Sequence, residues 1–399
     1  METDPDFERK VGGSSLILDA KTGADGQGCQ SSYQVQETCG DGAIDDSSLY
    51  SVQYVPLTLR NSKEIIWNNP QPNSPFSCRP LFIAFMKEDK QSIQDKFREL
   101  KSEIDSLEPA TIQLKSGFTC ELQGAESSSV CPSMFDGKSL TNITSYLEGK
   151  GMSYAKCHAC KHVGKQFMLP EIWDTNQELS EDVLNLGISV LHCLLRVTDF
   201  IFKLAIKLTV PGVPESDPEY KNVKQFYIDE FEKQLKVKIF RVKVNFGTSN
   251  TGNCCRIIMN NAKTTAEILK LPIEMIQGFQ DLLNMIADPQ NIPDIENYEE
   301  IARKLFRMLT SEFYGQVNMT PTVHRLIVHG STYIKHYKDL FSKPIGAFSE
   351  SSIESRNKDN KIYRSQHAFQ GSLSKNIRDI GTRLLATSDP YLFLKEDLS

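Results

Sequence analysis

The chain has 399 residues, of which 39% are hydrophobic and 24% are charged. This length exceeds one ordinary domain, so we expect either two domains or one core with a large insertion. The composition is typical of a soluble globular protein, and the sequence has no run of about 18 apolar residues that would predict a transmembrane helix. The formal net charge of −6 argues against a protein that coats nucleic acid without specificity.

The first 155 residues predict mainly strands. Residues 1–13 are expected to be a disordered tail without a secretory leader. An apolar run at 14–19 indicates a strand that ends in a glycine-rich turn, 21–28. Further segments are predicted as strands (49–59, 64–67, 81–86, 111–122, 130–135), helices (90–107, 139–147) and polar loops (40–48, 70–75). Asp25 and Asp136 therefore each follow a strand, where an open α/β sheet places its reactive groups.

From residue 156 the pattern becomes helical. Helical segments are predicted over 169–207, 219–236, 264–286, 298–311 and 322–341. A proline-rich linker is predicted over 212–217 and a polar turn over 247–252. A last helix is expected after Pro344 and Gly346, with Ser349 as its N-cap and Ile353 in its first turn.

This last helix carries acidic and basic residues at helical spacing. Glu350 and Glu354 are four residues apart, and residues three and four apart share a helix face. An acid at the start of a basic stripe suits a metal-assisted phosphodiester site, because it can bind a metal beside cations that hold the DNA backbone. An ordinary solvated helix explains the segment equally well when it is considered alone. The candidate phosphate contacts are Lys358, Lys361, Arg364, Lys375 and Arg378.

The cysteines and histidines suggest a zinc site. The ten cysteines include one C-x-x-C pair, Cys157 and Cys160, which indicates reduced thiols and a metal site more than a disulfide framework. His324 and His329 form an H-x4-H pair that can supply the other two ligands of a tetrahedral ion. Four protein ligands predict a structural zinc; buried thiols with surface histidines are the alternative. Two histidines of the same knuckle compete as ligands: His158 and His162.

Three acids form the candidate catalytic set: Asp25, Asp136 and Glu354. Together they could hold two Mg²⁺ or Mn²⁺ ions that activate a water or a 3′-hydroxyl for in-line attack at phosphorus. Their spacing alone is weak evidence, because Asp-Gly dipeptides are common turn formers. Asp19 remains an alternative to Asp25, and Glu350 remains an alternative to Glu354.

The segment 349–364, SESSIESRNKDNKIYR, resembles the C-terminal catalytic motif of the recombination-activating recombinase of V(D)J recombination and of the related Transib transposases. In that family Ser-Glu is followed by a second Glu and then by Asn-Lys. Glu354 falls on the position of the family's catalytic glutamate. Asp25, in Asp-Gly-Gln-Gly, resembles the first catalytic aspartate, and Asp136, in Phe-Asp-Gly-Lys, resembles the second.

The zinc motifs resemble the same family. Cys157, Cys160, His324 and His329 match its zinc ligands, including the H-x4-H spacing, and the segment 191–193, LHC, resembles a short family signature. The motifs keep their order over roughly 15–390. Segments 40–110 and 211–320 show no resemblance. The upstream region that recognises the signal sequence in the family precedes the matched part, so we expect a partial chain.

The resemblance implies an α/β fold with a ribonuclease-H-like mixed sheet and a large helical zinc-binding insertion. The implied domains are a core at 14–155, the insertion at 156–343, and a C-terminal catalytic helix and tail at 344–399. It also implies a nuclear, DDE-type endonuclease that cuts double-stranded DNA and joins strands with Mg²⁺ or Mn²⁺. The implied protein partners are a second copy of the chain and an accessory recombinase subunit; no membrane is implied.

Two other functions remain open. One is a catalytically inactive, transposon-derived module that binds DNA or protein and keeps the fold and zinc site. The other is a helical zinc scaffold without any relation to nucleic acid, which requires the acid match to be chance. The one-residue longer spacing from Glu350 to Glu354, compared with the vertebrate motif, leaves the choice between these two acids to the structure.

Overall fold

The structure, a computed structural model, describes residues 10–11, 15–28, 36–39, 42–45, 47–113, 117, 119–123, 130–149, 153, 155–173, 179–243, 247–311, 318–369 and 371–389. The predicted tail, 1–13, lies outside these residues except for 10–11, which are helical. Within the described segments, no helix is both long enough and apolar enough to cross a membrane.

The described residues contain eleven strands. Their bounds are β1 Ser15–Gly28, β2 Gln36–Cys39, β3 Gly42–Asp45, β4 Ser48–Arg60, β5 Ile65–Asn68, β6 Arg79–Phe85, β7 Ala110–Gln113, β8 Thr119–Leu122, β9 Val130–Phe135, β10 Arg241–Lys243 and β11 Gly247–Ser249. Seven form one mixed sheet in the order β5-β4-β1-β8-β7, with β6 paired to β4 and β9 paired to β1. Strand β1 is antiparallel to β4 and parallel to β8 and β9. The predicted α/β class is therefore confirmed.

Strand β1 lies at the centre of the sheet and is longer than the sequence predicts. The glycine-rich segment 21–28, predicted as a turn, continues the strand and pairs with β4 as far as Gly28 opposite Ser48. Gly23 permits this because a Cβ there would lie only 2.0 Å from the carbonyl oxygen of Met134 on β9. The prediction of a turn was wrong, because Gly23 allows close packing of β1 against β9, and Asp25 lies inside a strand.

Three other predictions fail at polar hairpins. Segment 111–122, predicted as one strand, contains the antiparallel pair β7 and β8. Strand β3 lies in the predicted loop 40–48, and β11 lies in the predicted turn 247–252. Short polar strands lack the apolar alternation that identifies a half-buried strand in a sequence.

Helices follow the strands along most of the chain. Their bounds are α1 Lys90–Asp105, α2 Gly137–Leu147, α3 Glu181–Asn185, α4 Val190–Thr209, α5 Pro218–Leu235, α6 Gly252–Asn260, α7 Ala262–Leu269, α8 Ile273–Ala287, α9 Ile295–Thr310, α10 Pro321–His324, α11 Gly330–Phe341, α12 Ser351–Ile362 and α13 Leu373–Thr387. The predicted helix 264–286 is divided, because Lys270 is left-handed and Pro272 cannot continue α7. The predicted helix 169–207 is divided at Gly187, whose φ is +67°.

The sheet and the helical part share an apolar core. Val197, Ile201 and Phe202 of α4 are completely buried. The cluster that contains them extends through Phe348 to Met134 on β9. The helical part is therefore packed directly against the sheet that carries the acids.

Helix α12 has a buried face that is polar. Four buried polar residues follow each other at intervals of four: Ser352, Arg356 and Asn360 on the helix, and Arg364 in the π-helical turn after it. Arg356 donates from Nε to the carbonyl oxygen of Cys78 at 3.2 Å and from Nη1 to Thr387 Oγ1 at 2.8 Å. Hydrogen bonds of this kind fix the rotation of the helix, because each donor must meet its acceptor.

Candidate active site

Three carboxylates meet beside the parallel strands β1 and β9. Ala24 on β1 is paired with Phe135 on β9, so the residues that follow them, Asp25 and Asp136, lie side by side. Glu88, between β6 and α1, completes the group, and the carboxylate oxygens of the three acids lie within 4.8 Å of one another. Oxygen ligands of this kind suit Mg²⁺ or Mn²⁺. We call Asp25, Glu88 and Asp136 the acid cluster.

Glu88 was missed by the sequence analysis. Lys138 Nζ lies 3.1 Å from its Oε2, and Ser139 Oγ donates to its Oε1 at 3.1 Å. Gly26 leaves room for the side chain, because a Cβ there would lie 2.9 Å from Glu88 Oε2. The available signal was its place shortly after a predicted strand, which it shares with Asp136.

Helix α12 contacts the acid cluster through Asn357. The Asn357 Nδ2 donates to Asp25 Oδ2, and its Oδ1 accepts from Gln27 Nε2. Glu354 lies one turn earlier, in the first turn of α12. Its carboxylate is outside the group within 4.8 Å, but its charge acts on Asp25 and raises the pKa of that carboxyl. Glu354 therefore lies at the edge of the acid cluster.

The acid cluster is electrostatically unfavourable without a cation. Burial raises the pKa of Asp25 well above its usual range, and the charges of Glu354 and Asp136 raise it further. Burial and the charge of Asp136 raise the pKa of Glu88, and Lys138 offsets only part of this effect. Two like charges 4.8 Å apart repel by about 3.5 kcal/mol at an effective dielectric constant of about 20. A bound divalent cation would remove this repulsion.

Asp19, the alternative first acid, has other partners. Its Oδ2 accepts hydrogen bonds from Thr58 Oγ1 at 2.6 Å and from Arg60 Nε at 2.8 Å. It pairs with the opposite strand, β4, and is not part of the acid cluster. The structure therefore brings Asp25, and not Asp19, to the other acids.

Glu350, the alternative last acid, is buried at the N-terminus of α4. Its carboxylate accepts from the backbone N–H groups of Val190 at 2.9 Å and His192 at 3.2 Å. Burial alone would raise the pKa of Glu350, but the hydrogen bond and charge of His192 outweigh it and lower that pKa. Glu350, and not Ser349 as predicted, is the residue directly before α12, but Ser349 Oγ accepts the Ser351 N–H at 3.3 Å. Glu350 anchors two helices and lies outside the acid cluster.

A second cluster contains the predicted zinc ligands. The ligand atoms of Cys157, Cys160, His324 and His329 lie within 4.8 Å of one another, and all four residues are buried. Cys160 Sγ lies 3.2 Å from His324 Nε2. The ring nitrogens His324 Nδ1 and His329 Nε2 are buried and make no hydrogen bond with any described residue. Two thiols and two imidazoles fit a tetrahedral zinc with bonds of about 2.0–2.3 Å.

The backbone explains how distant motifs form this cluster. The Cys157 N–H donates to the carbonyl oxygen of His162 at 3.0 Å, and the left-handed Lys161 closes the knuckle. His324 directly precedes a π-helical turn, Arg325–His329, and His329 is its last residue. In an α-helix, residues five apart point about 140° away from each other. The wider π-helical turn brings them to the same side.

The electrostatics of the knuckle favour a thiolate at Cys157 and a thiol at Cys160, whose pKa is raised by its hydrogen bond with Cys157. Burial alone would raise the pKa of Cys157, but its hydrogen bonds with Cys160 and His324 outweigh that effect and lower the pKa. The thiolate is the form that binds zinc. Of the competing histidines, His158 lies with Nε2 2.9 Å from Thr141 Oγ1, and neither it nor His162 belongs to the cluster of four.

The predicted phosphate contacts differ in exposure. Lys358 and Lys361 are exposed on α12. Arg364 is only 5% exposed, and its guanidinium lies 4.7 Å from the ring centroid of Phe85. Its predicted phosphate contact does not fit this position, because helix packing places the side chain against β6. Two further candidates on α13 are exposed: Lys375 and Arg378.

The chain was compared with known proteins. No protein-family model and no curated protein matches it. Among solved structures, a chain of the Drosophila P element transposase strand transfer complex is similar, with 12% identity and a TM-score of 0.36. The similarity covers 98% of this chain and 80% of that chain. A likeness of this extent carries no argument about function.

Proposed function

We propose that the chain is the catalytic part of a metal-dependent DNA recombinase or transposase that cuts phosphodiester bonds at the acid cluster. The observation that carries this proposal is the convergence of Asp25, Glu88 and Asp136 from three segments, with Glu354 beside them. Acids on one strand and directly after its parallel neighbour, with a last acid on a helix, suit a ribonuclease-H-like core. DNA as substrate comes from the motif resemblance to the recombination-activating recombinase and Transib transposases.

The residues of the acid cluster would hold two Mg²⁺ or Mn²⁺ ions together with Glu354. Such ions, when bound, lower the pKa of a water and stabilise the charge that develops at phosphorus. The chain itself supplies orientation: Asn357 holds the Asp25 carboxylate, and Lys138 holds that of Glu88. Asp136 also accepts the Ser139 N–H at 2.7 Å, which fixes its carboxylate as the N-cap of α2.

The DNA backbone would lie along α12. Lys358 and Lys361 follow Glu354 on this helix, and their exposed ammonium groups can neutralise phosphates without reading the sequence. We place the cutting reaction in the nucleus and expect two copies of the chain and an accessory subunit to assemble on DNA. In this proposal zinc has a structural role, because its four protein ligands leave no open position.

DNA cutting by the parent and Glu354→Gln tests the proposal. Each protein is incubated with branched and linear duplex DNA in Mg²⁺ or Mn²⁺, and the control is Glu99→Gln, a largely exposed acid paired with Lys96 and outside the acid cluster. We expect cutting by the parent and the control, and a loss of at least about 100-fold in the variant, because a metal ligand is lost. Equal cutting by all three proteins would refute the assignment of Glu354. No cutting by the parent would favour a catalytically inactive binding module.

A further inference from the structure

A completely buried lysine lies on the same strand as Asp25. Lys21 has no exposed surface. It is four residues before Asp25, and the pairing of β1 with β4 is regular between them, so both side chains lie on one face of the strand. Burying an ammonium costs several kcal/mol unless polar partners compensate. Its partners therefore indicate what the residue does.

Both hydrogen-bond partners of Lys21 lead towards α12. Its Nζ donates to the carbonyl oxygen of Ser349 at 2.7 Å and to Asn73 Oδ1 at 2.8 Å. Asn73 Nδ2 in turn donates to the carbonyl oxygen of Gly346 at 2.9 Å. Lys21 and Asn73 thus hold two carbonyl groups in the five residues that precede α12.

The same segment is held from its other side. Glu350 is bound to the N-terminus of α4, and its carbonyl oxygen accepts the Glu354 N–H at 3.1 Å in the first turn of α12. One turn later, Asn357 donates to Asp25. The start of α12 is therefore connected to β1 at two points: Lys21 holds the segment just before the helix, and Asp25 holds Asn357 in the second turn.

We propose that Lys21 is a positioning residue of the acid cluster, which fixes the start of α12 through Ser349 and so sets the distance from Glu354 to Asp25. This inference rests on the proposed function. Metal–oxygen bonds to Mg²⁺ are about 2.0–2.1 Å long and tolerate only small errors. A helix that begins in the wrong place misplaces Glu354, because each residue adds about 1.5 Å of rise and 100° of rotation.

The chemistry of Lys21 agrees with this role. Burial lowers its pKa to about 7, although the neighbouring Cys78 and Glu350 act in the opposite direction. Either protonation state keeps N–H donors for the carbonyl oxygen of Ser349. Methionine has a similar length and no donor, so Lys21→Met removes the hydrogen bonds with little change in volume.

The test measures Mn²⁺ binding by calorimetry and needs no DNA. The variants are Lys21→Met, Glu354→Gln and their combination, and Asn73→Ala is a milder second variant if Lys21→Met does not fold. Lys343→Met is the matched control, because this buried lysine contacts the side chain of Asn68 and no backbone group before α12. We expect Lys21→Met to weaken Mn²⁺ binding about tenfold, as outer partners of metal ligands do.

The double variant distinguishes positioning from general destabilisation. If Lys21 acts through Glu354, Lys21→Met adds nothing once Glu354 is glutamine. Two results would overturn this inference alone. One is that the losses of Mn²⁺ affinity from Lys21→Met and Glu354→Gln add up in the double variant. The other is that Lys21→Met and Asn73→Ala bind Mn²⁺ as well as the parent while Glu354→Gln binds it more weakly. A parent protein that binds no Mn²⁺, or binds it as well after Glu354→Gln, would overturn the proposed metal site as well.

Discussion

The repulsion within the acid cluster predicts that removing one charge stabilises the metal-free protein. Asp25→Asn keeps an oxygen that can accept the Asn357 hydrogen bond and removes the carboxylate that interacts with Glu354 and Asp136. One such pair repels by about 3.5 kcal/mol at an effective dielectric constant of about 20. Partial protonation of Asp25 reduces the repulsion, so we expect a gain of about 1–3 kcal/mol.

The assay is thermal unfolding in a chelator of divalent ions at pH 8. With about 2.1 cal/mol/K of unfolding entropy per residue, the expected gain corresponds to an increase of about 1–4 °C in Tm. The folded-state pKa of Asp25 is raised, so the folded protein binds more protons than the unfolded chain between the unfolded pKa of about 4 and the higher folded pKa. Stability must therefore fall as pH rises through that window, and Asp25→Asn must reduce this fall. Added Mn²⁺ should stabilise the parent more than the variant.

Asp19→Asn is the matched control, since it makes the same change on the same strand. Asp19 is paired with Arg60 at 2.8 Å, so losing its charge should lower stability by about 1–3 kcal/mol, a range that allows for the partial exposure of Arg60. The two variants thus have opposite predicted signs. If Asp25→Asn lowers the metal-free Tm as Asp19→Asn does, the repulsive cluster is refuted.

Three further predictions concern single residues. Glu88→Gln should weaken Mn²⁺ binding at least about tenfold in calorimetry without lowering Tm in chelator, because one of the repelling charges is lost, and equal affinity would remove Glu88 from the site. Gly26→Ala should also weaken Mn²⁺ binding, because its Cβ would displace Glu88, whereas an unchanged affinity would show that this close approach is unimportant. Cys157→Ser should abolish stoichiometric zinc in atomic absorption and lower Tm, while Cys254→Ser, at a cysteine outside the zinc cluster, should retain the metal. Full zinc content in Cys157→Ser would contradict the site.

The sequence predicted the α/β class and most long elements because apolar periodicity marks them directly. It could not predict that 21–28 is a strand, since Gly23 and Gly26 match a turn equally well. The strand forms because Met134 packs closely against Gly23 and Glu88 packs closely against Gly26, and both residues are distant in the sequence. Tertiary packing thus overrode local preference.

Part of the candidate site could also be predicted from the sequence. Motif spacing pointed to Cys157, Cys160 and the two histidines, which the structure brings together. Glu88 carried no motif, because its position depends on the pairing of β6 with β4 and of β4 with β1. The burial of Arg364 could not be predicted from the sequence either, since a basic residue at helical spacing gives no indication of which helix face packs against the sheet.

Anomalous diffraction from crystals soaked in Mn²⁺ tests the central claim most directly. Data collected near the manganese edge would locate each ion without any assumption about activity. The proposed function predicts two peaks about 3.5–4 Å apart, in contact with Asp25, Glu88, Asp136 and Glu354. Absence of any peak at these four carboxylates, with Mn²⁺ bound elsewhere or not at all, would contradict a two-metal nuclease site.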